Sequence, residues 1–172
     1  MTPTLANRVY DAAHLTGSFT LRSGQTATEY FDKYRFEADP ALLRDLAEAM
    51  APMVPDGIDA LAGLELGGVP IATALSLATG IPARFVRKEA KTYGTCLLAE
   101  GGDIDGRRLL VVEDVVTTGG QVLASTADLR DRGAKVDTVL CTIDRRPDDS
   151  SVFADAGLEL RALFRMRDLT PS

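Results

Sequence analysis

One run of thirteen residues constrains this chain more than any other: Leu109-Leu110-Val111-Val112-Glu113-Asp114-Val115-Val116-Thr117-Thr118-Gly119-Gly120-Gln121. Leu109 to Val112 is apolar and too short for a helix, so it predicts a buried parallel strand. Gln121 to Arg132 predicts the helix that follows, with Val122, Leu123, Thr126 and Leu129 on one side. Between them Thr117 to Gly120 must turn the chain sharply. Glycines let backbone N–H groups approach an anion, threonine hydroxyls add donors, and the positive end of the next helix points at the same spot. A monophosphate group is the expected ligand, with Glu113 and Asp114 facing something polyhydroxylated. A nucleoside triphosphatase loop is excluded, because it needs Lys and then Ser or Thr after its last glycine, where this chain has Gln121 and Val122. The Rossmann glycine spacing is missing as well.

An apolar strand, two acids, two apolar residues and Thr-Thr-Gly-Gly resemble the phosphoribosyl pyrophosphate (PRPP) motif of type I phosphoribosyltransferases. Adjacent acids alone would read as a βα turn facing solvent, and the complete pattern outweighs that reading. The resemblance implies that Glu113 and Asp114 bind ribose hydroxyls and belong to the catalytic set, and that Val115, Val116, Thr117, Thr118, Gly119, Gly120 and Gln121 bind the ribose phosphate.

At 172 residues the chain is expected to form one domain with a central sheet covered on both faces, residues 1–38 making an N-terminal cap within it. Hydrophobic residues make up 45% but form no stretch long enough to span a bilayer, and the N-terminus lacks a basic-then-apolar signal, so a cytoplasmic protein without a membrane partner is expected. A formal charge of -6 disfavours a nucleic-acid partner, which needs a basic face. Cys96 and Cys141 lack CxxC spacing and His14 is the single histidine, so no zinc site is expected. The same scarcity removes Ser-His-Asp and Cys-His catalysis unless His14 is the base, and its amphipathic surroundings (Leu5, Val9, Ala12, Ala13) favour a packed or surface histidine.

Along the chain, a helix is expected from Thr4 to His14, then a strand from Phe19 to Arg22, a turn at Ser23-Gly24-Gln25 and a returning strand from Tyr30 to Tyr34. Asp39 as N-cap and Pro40 at the first helical position start a helix striped by Leu42, Leu43, Leu46 and Met50, ended by Pro52 and Pro55. Strands over 58–62, 83–86, 109–112 and 136–143 alternate with helices over 70–79 and 121–132, the signature of a mostly parallel α/β sheet with helices on both faces. In such sheets the ligand lies beyond the carboxyl ends of the strands, so the loops after Ala62, Val86, Val112 and Ile143 should converge.

The loop Gly63-Leu64-Glu65-Leu66-Gly67-Gly68-Val69-Pro70 places glycines where the backbone turns and nears a ligand. It is similar to the family's pyrophosphate loop, which implies PRPP contacts at Gly67 and Gly68. Arg87-Lys88-Glu89-Ala90-Lys91-Thr92-Tyr93-Gly94 follows a predicted strand. A charge run is usually a solvated face. This one closely resembles the mobile catalytic loop of orotate phosphoribosyltransferases, which implies that Arg87, Lys88, Lys91 and Tyr93 reach the pyrophosphate, partly across a dimer interface, with Lys91 catalytic. Tyr93 stands where many members have His, so a proton-donating role for that residue does not carry over.

Phe19-Thr20-Leu21-Arg22-Ser23-Gly24 with Tyr30-Phe31-Asp32 resembles the segment that covers the pyrimidine in the orotate enzymes, with Arg22 where Lys is frequent. Asp144-Arg145 stands where the family holds the orotate carboxylate, a group that a guanidinium binds through two parallel hydrogen bonds. Arg22, Tyr30, Phe31, Thr117 and Arg145 are thereby implied orotate contacts, and Arg146 is read as a solubilising neighbour.

The implied reaction transfers the phosphoribosyl group of PRPP to orotate, giving orotidine monophosphate and pyrophosphate, with Mg²⁺ brought in on PRPP, no resident metal, and a homodimer with shared sites. Two alternatives stay open: another type I phosphoribosyltransferase with a purine, uracil or other acid as acceptor, and a PRPP-binding regulator without chemistry.

Overall fold

The computed structural model describes residues 2–20, 23–89 and 97–171. The first helix, α1 (Leu5–Ala13), starts where Thr4 Oγ1 accepts a hydrogen bond from Asn7 N (3.2 Å) while Thr4 N donates to Asn7 Oδ1 (2.9 Å). A nine-residue helix is marginal alone; buried Val9 and Ala13 anchor it against Phe36, Leu46 and Met50. β1 (His14–Thr20) and β2 (Thr26–Phe31) form an antiparallel hairpin, a two-stranded sheet of its own. The returning strand stops at Phe31 rather than Tyr34, because Asp32 caps α2 (Lys33–Glu37) by accepting from Tyr34 N at 3.2 Å. Lys33 and Tyr34 are therefore helical. Asp39 Oδ1 accepts from Ala41 N and Leu42 N, both at 2.9 Å, and with Pro40 at the first position opens α3 (Pro40–Met50), as its sequence predicts. A 3-10 turn at Ala51–Met53 ends it.

The main sheet contains β3 (Ala60–Leu64), β4 (Ala83–Val86), β5 (Ala99–Glu100), β6 (Arg108–Val116), β7 (Lys135–Asp144) and β8 (Glu159–Arg165) in the order β5-β4-β3-β6-β7-β8, parallel except for the β4–β5 pair. α4 (Gly68–Thr79), α5 (Gly120–Asp131) and the short α6 (Val152–Asp155) provide the remaining helices. Consecutive strand residues point to opposite faces, and the core divides accordingly. Leu61, Leu110, Val112 and Leu140 pack with Leu46, Ile71 and Leu75 of α3 and α4. Ala62, Val111 and Val139 pack on the other face with Leu129 of α5 and Phe153 of α6. Burial on both faces explains why the central strands read as continuous apolar runs.

Within the main sheet, further differences from expectation bear on the site. β3 starts at Ala60 instead of Ile58. β6 continues four residues past Val112, through both acids to Val116, because Glu113, Val115 and Val116 stay in register with Cys141, Ile143 and Asp144. β8, absent from the predicted strands, is a half-buried edge in which Leu160, Ala162 and Phe164 alternate with Glu159, Arg161 and Arg165, broken only by Leu163. Among the described residues no helix is long and apolar enough to cross a membrane.

Candidate active site

The extension of β6 decides where its two acids point. Glu113 lines a cavity of about 210 Å³ at the carboxyl end of the sheet, bounded also by the 115–122 run, Glu65 and Leu66, Lys88, and Lys33 and Tyr34 of α2. Asp114, one residue on, faces the other way and is wholly buried. Its Oδ2 lies 2.6 Å from Lys33 Nζ and its Oδ1 accepts from Val115 N, while its own N–H donates to Glu113 Oε1 at 3.0 Å. The sequence expects both acids to face the ligand; the strand's alternation puts Glu113 on the cavity and Asp114 behind it.

Thr117 and Thr118 are exposed at the cavity, and Gly119 adopts a left-handed backbone (φ +86°) as N-cap of α5. A Cβ there would also stand 2.8 Å from Phe153 Cε2, so glycine is required both by backbone and by space. No side chain caps α5 from Gly119, and the first N–H groups of a helix have no partner within it. The cavity therefore meets a helix N-terminus with its dipole aimed inward.

The glycines of the preceding loop have a different reason from the one their sequence suggests. A Cβ on Gly67 would fall 1.6 Å from Asp114 Oδ2, and one on Gly68 2.3 Å from the Val112 carbonyl oxygen. Their small size serves the close approach of α4 to β6, and neither lines the cavity; Glu65 and Leu66, joined by a cis peptide, do. Pro70 is the third residue of α4, not the first.

Three carboxyl groups and one ammonium meet at this wall. Burial would lower the Lys33 pKa, but the Asp114 carboxylate outweighs it and the net direction is up. Burial first, and then the Asp114 charge, raise Glu113 and Glu37 above the usual carboxylate range. For Asp114 burial acts upward, yet bonds to Glu113, Glu37 and Lys33 hold it below that range. One residue of the three keeps a negative charge that the others and Lys33 stabilise.

Arg87 N donates to the Leu98 carbonyl (2.9 Å) and exposed Lys88 reaches the cavity. Lys91 and Tyr93, like Arg22, lie outside the described residues. Tyr30 is exposed and stacks on Phe19 (5.5 Å between centroids), Phe31 packs toward Phe36 (6.4 Å), and neither lines the cavity. Lys33 and Tyr34, which sequence reasoning missed, take the N-terminal side of it. The readable signal was Asp32 as a helix N-cap. Arg145 is exposed; its N donates to the Val116 carbonyl (2.8 Å), but its side chain lines a neighbouring cavity with Arg165 and Arg167.

Arg146 is no solubilising neighbour. Its guanidinium donates to both oxygens of buried Asp144 (3.0 and 2.8 Å), stacks 4.7 Å from the Phe153 ring and is 7% exposed. Arg165 reaches the same carboxylate at 2.7 Å. His14 stacks on Tyr10 (4.7 Å) away from the cavity, and buried Cys141 has a thiol that burial pushes far up.

A family model described as phosphoribosyl transferase domain matches residues 35–151. Orotate phosphoribosyltransferase of Nocardioides sp. (strain ATCC BAA-499 / JS614) is 58% identical over 166 residues, covering 96% of this chain and 93% of the relative. That of Halobacterium salinarum is 42% identical, covering 95% and 93%. The crystal structure of Mycobacterium tuberculosis H37Rv orotate phosphoribosyltransferase in complex with Fe(III) dicitrate superposes with a TM-score of 0.86 at 34% identity, over 96% of each chain. The same enzyme in complex with PRPP gives 0.80 at 31% identity, also over 96% of each.

Proposed function

The chain belongs to the orotate phosphoribosyltransferases, within the phosphoribosyl transferase domain family, and from that premise we propose how its own residues carry the reaction. It transfers the phosphoribosyl group of PRPP to a ring nitrogen of orotate, releasing pyrophosphate and forming orotidine monophosphate for pyrimidine synthesis in the cytoplasm. The observation that carries this reading is the juxtaposition of Glu113 with the uncapped α5 N-terminus and the Thr117–Gly120 turn around one cavity. The turn takes the 5′-phosphate on its backbone N–H groups and threonine hydroxyls. Glu113 accepts hydrogen bonds from the ribose hydroxyls, and Asp114 holds that strand end from behind.

As the bond from the anomeric carbon to pyrophosphate stretches, the sugar gains positive and the leaving group negative charge. Cations beside the leaving group favour that state, and so does the negative charge that Asp114 keeps one residue behind Glu113. Arg87, Lys88 and Lys91, with Tyr93 as a hydrogen-bond donor, serve the pyrophosphate, and Gly67 and Gly68 bring the 65–68 loop against the same end of the sheet. Orotate is already an anion and needs no strong protein base; Arg145 takes its carboxylate, and Arg22, Tyr30, Phe31 and Thr117 border it. Mg²⁺ prefers phosphate oxygens plus one or two carboxylates. The oxygen-rich walls, with Glu65 among them, suit such an ion brought in on the pyrophosphate. A homodimer in which the cationic loop serves the neighbouring site fits this arrangement.

The test is an acceptor series: the chain with Mg²⁺ and PRPP, given orotate, uracil, hypoxanthine or adenine, while pyrophosphate release is followed. Release with orotate alone is expected. Release with another base instead would move the chain to a different acceptor, and PRPP binding without release would make it a regulator.

A further inference from the structure

Lys33 and Glu37 stand one turn apart on α2, and both meet Asp114. Lys33 Nζ is 2.6 Å from Asp114 Oδ2, and its side chain, 33% exposed, forms part of the cavity wall. Glu37 is buried, and neither of its carboxyl oxygens has a hydrogen-bond partner supplied by an N–H or hydroxyl group among the described residues. The group within bonding reach is the carboxyl of Asp114. Two ionised carboxylates cannot bond to one another, and a second buried, unpaired charge costs far more than a neutral acid. A proton kept on Glu37 turns the same contact into a charge-assisted O–H to carboxylate bond. The cavity also needs cations that its loops do not all supply: residues 63–68 carry Glu65 and no Lys or Arg. Among the described residues, Lys33 and Lys88 are the cations on its walls.

We infer that Lys33 is a further substrate-binding residue, a cation for the phosphate groups of PRPP, and that Glu37, as a neutral acid bonded to Asp114, is the positioning residue that keeps Lys33 on the wall. This deepens the proposed function and rests on it, since it takes PRPP as the anionic ligand. With Glu37 neutral, Asp114 has one countercharge to hold. An ionised Glu37 competes for the same ammonium and draws it inward, away from the ligand. The groups facing Glu37 are Lys33 on its own helix and Asp114 and Glu113 on β6; burial and then Asp114 push it up to about 9, with Lys33 opposing.

The test is calorimetric titration with Mg²⁺ and PRPP on the full chain, alongside KM for both substrates, for Lys33→Met, Lys33→Arg, Glu37→Ala and Glu37→Gln. Lys33→Met should weaken PRPP by about tenfold or more, the size of one lost charge-assisted hydrogen bond, with the orotate KM within about twofold, and Lys33→Arg should recover most of the loss. Glu37→Ala should weaken PRPP too, and Glu37→Gln, which keeps a neutral donor toward Asp114, should rescue it. Wild-type PRPP affinity should fall more steeply as pH rises through about 9 than that of Glu37→Gln, in which Glu113 alone of the two acids still titrates there. PRPP affinity unchanged in Lys33→Met, or Glu37→Gln as impaired as Glu37→Ala, overturns the inference. If Lys33→Met does not fold, the pH comparison between wild type and Glu37→Gln decides. Wild type that binds PRPP without turning over orotate contradicts the proposed acceptor and leaves this inference readable by calorimetry; wild type that binds no PRPP overturns both.

Discussion

Gly67 and Asp114 are packed so closely that a β-carbon on the first would fall 1.6 Å from Oδ2 of the second. The contact joins the start of α4 to the end of β6, and the same carboxylate oxygen holds Lys33. Gly67 has an ordinary helical backbone (φ -67°), so the demand for glycine here is purely one of space.

Gly67→Ala must therefore displace a wholly buried carboxylate. Overpacking of this kind costs about 1 to 3 kcal/mol, and the displaced Asp114 carries the strand end and Lys33 with it. Urea unfolding should show that loss, and PRPP calorimetry a weaker complex. A variant with wild-type stability and affinity would mean that the contact yields without consequence.

Asp144 predicts an acid limb of stability. Burial alone would raise its pKa; the Arg146 hydrogen bonds and the Arg165 charge overcome this and hold it below its usual 3.8. A carboxyl depressed in the folded state stabilises the protein at pH above its unfolded pKa, and the contribution disappears as pH falls through the folded value. Asp144→Asn should be less stable than wild type at pH 7, with the difference closing below about 3.8. Arg146→Ala leaves that carboxylate short of its two-point partner and should cost about 3 to 5 kcal/mol at neutral pH. Denaturant titrations between pH 2 and pH 7, on the order of one per unit, check both; a pH-independent difference would contradict the linkage.

How much of this was legible beforehand follows from which forces leave marks in a local stretch of residues. The sharp turn at Thr117 to Gly120 was readable because its glycines stand consecutively between strand and helix, and the α3 start because Asp39 and Pro40 act within one turn. The parallel sheet was readable from apolar runs buried on both faces. What failed depends on partners distant in sequence. β6 outlasts its apolar run because β7 pairs with it through Asp144, and Arg146 is buried because Asp144 and Phe153 enclose it. Gly67 and Gly68 look like ligand glycines in sequence, and only the position of β6 shows what they accommodate. Lys33 read as strand because the hairpin's alternation hid the Asp32 cap.

Arg145→Ala separates the two neighbouring arginines. Arg145 is exposed and its side chain forms no ion pair among the described residues, so its loss should leave stability within about 0.5 kcal/mol. The expected effect is a raised orotate KM with PRPP binding nearly intact, as for a ground-state carboxylate contact. Equal losses for both substrates would show that Arg145 is misassigned.

Lys91→Ala should lower kcat by about a hundredfold with modest change in KM, the mark of an interaction made mainly in the transition state. A cation about 4 Å from the leaving group at an effective dielectric near 20 contributes roughly 4 kcal/mol, and about 1.4 kcal/mol is tenfold in rate. Steady-state kinetics decide it, and a kcat within about twofold of wild type would remove Lys91 from the catalytic set.

The most direct measurement is a crystal structure of the chain grown with PRPP and Mg²⁺. The 5′-phosphate should lie in the Thr117–Gly120 turn, within hydrogen-bond distance of its backbone N–H groups, with the ribose hydroxyls against Glu113. A phosphate bound elsewhere, or a turn left vacant at saturating PRPP, would contradict the account at its foundation.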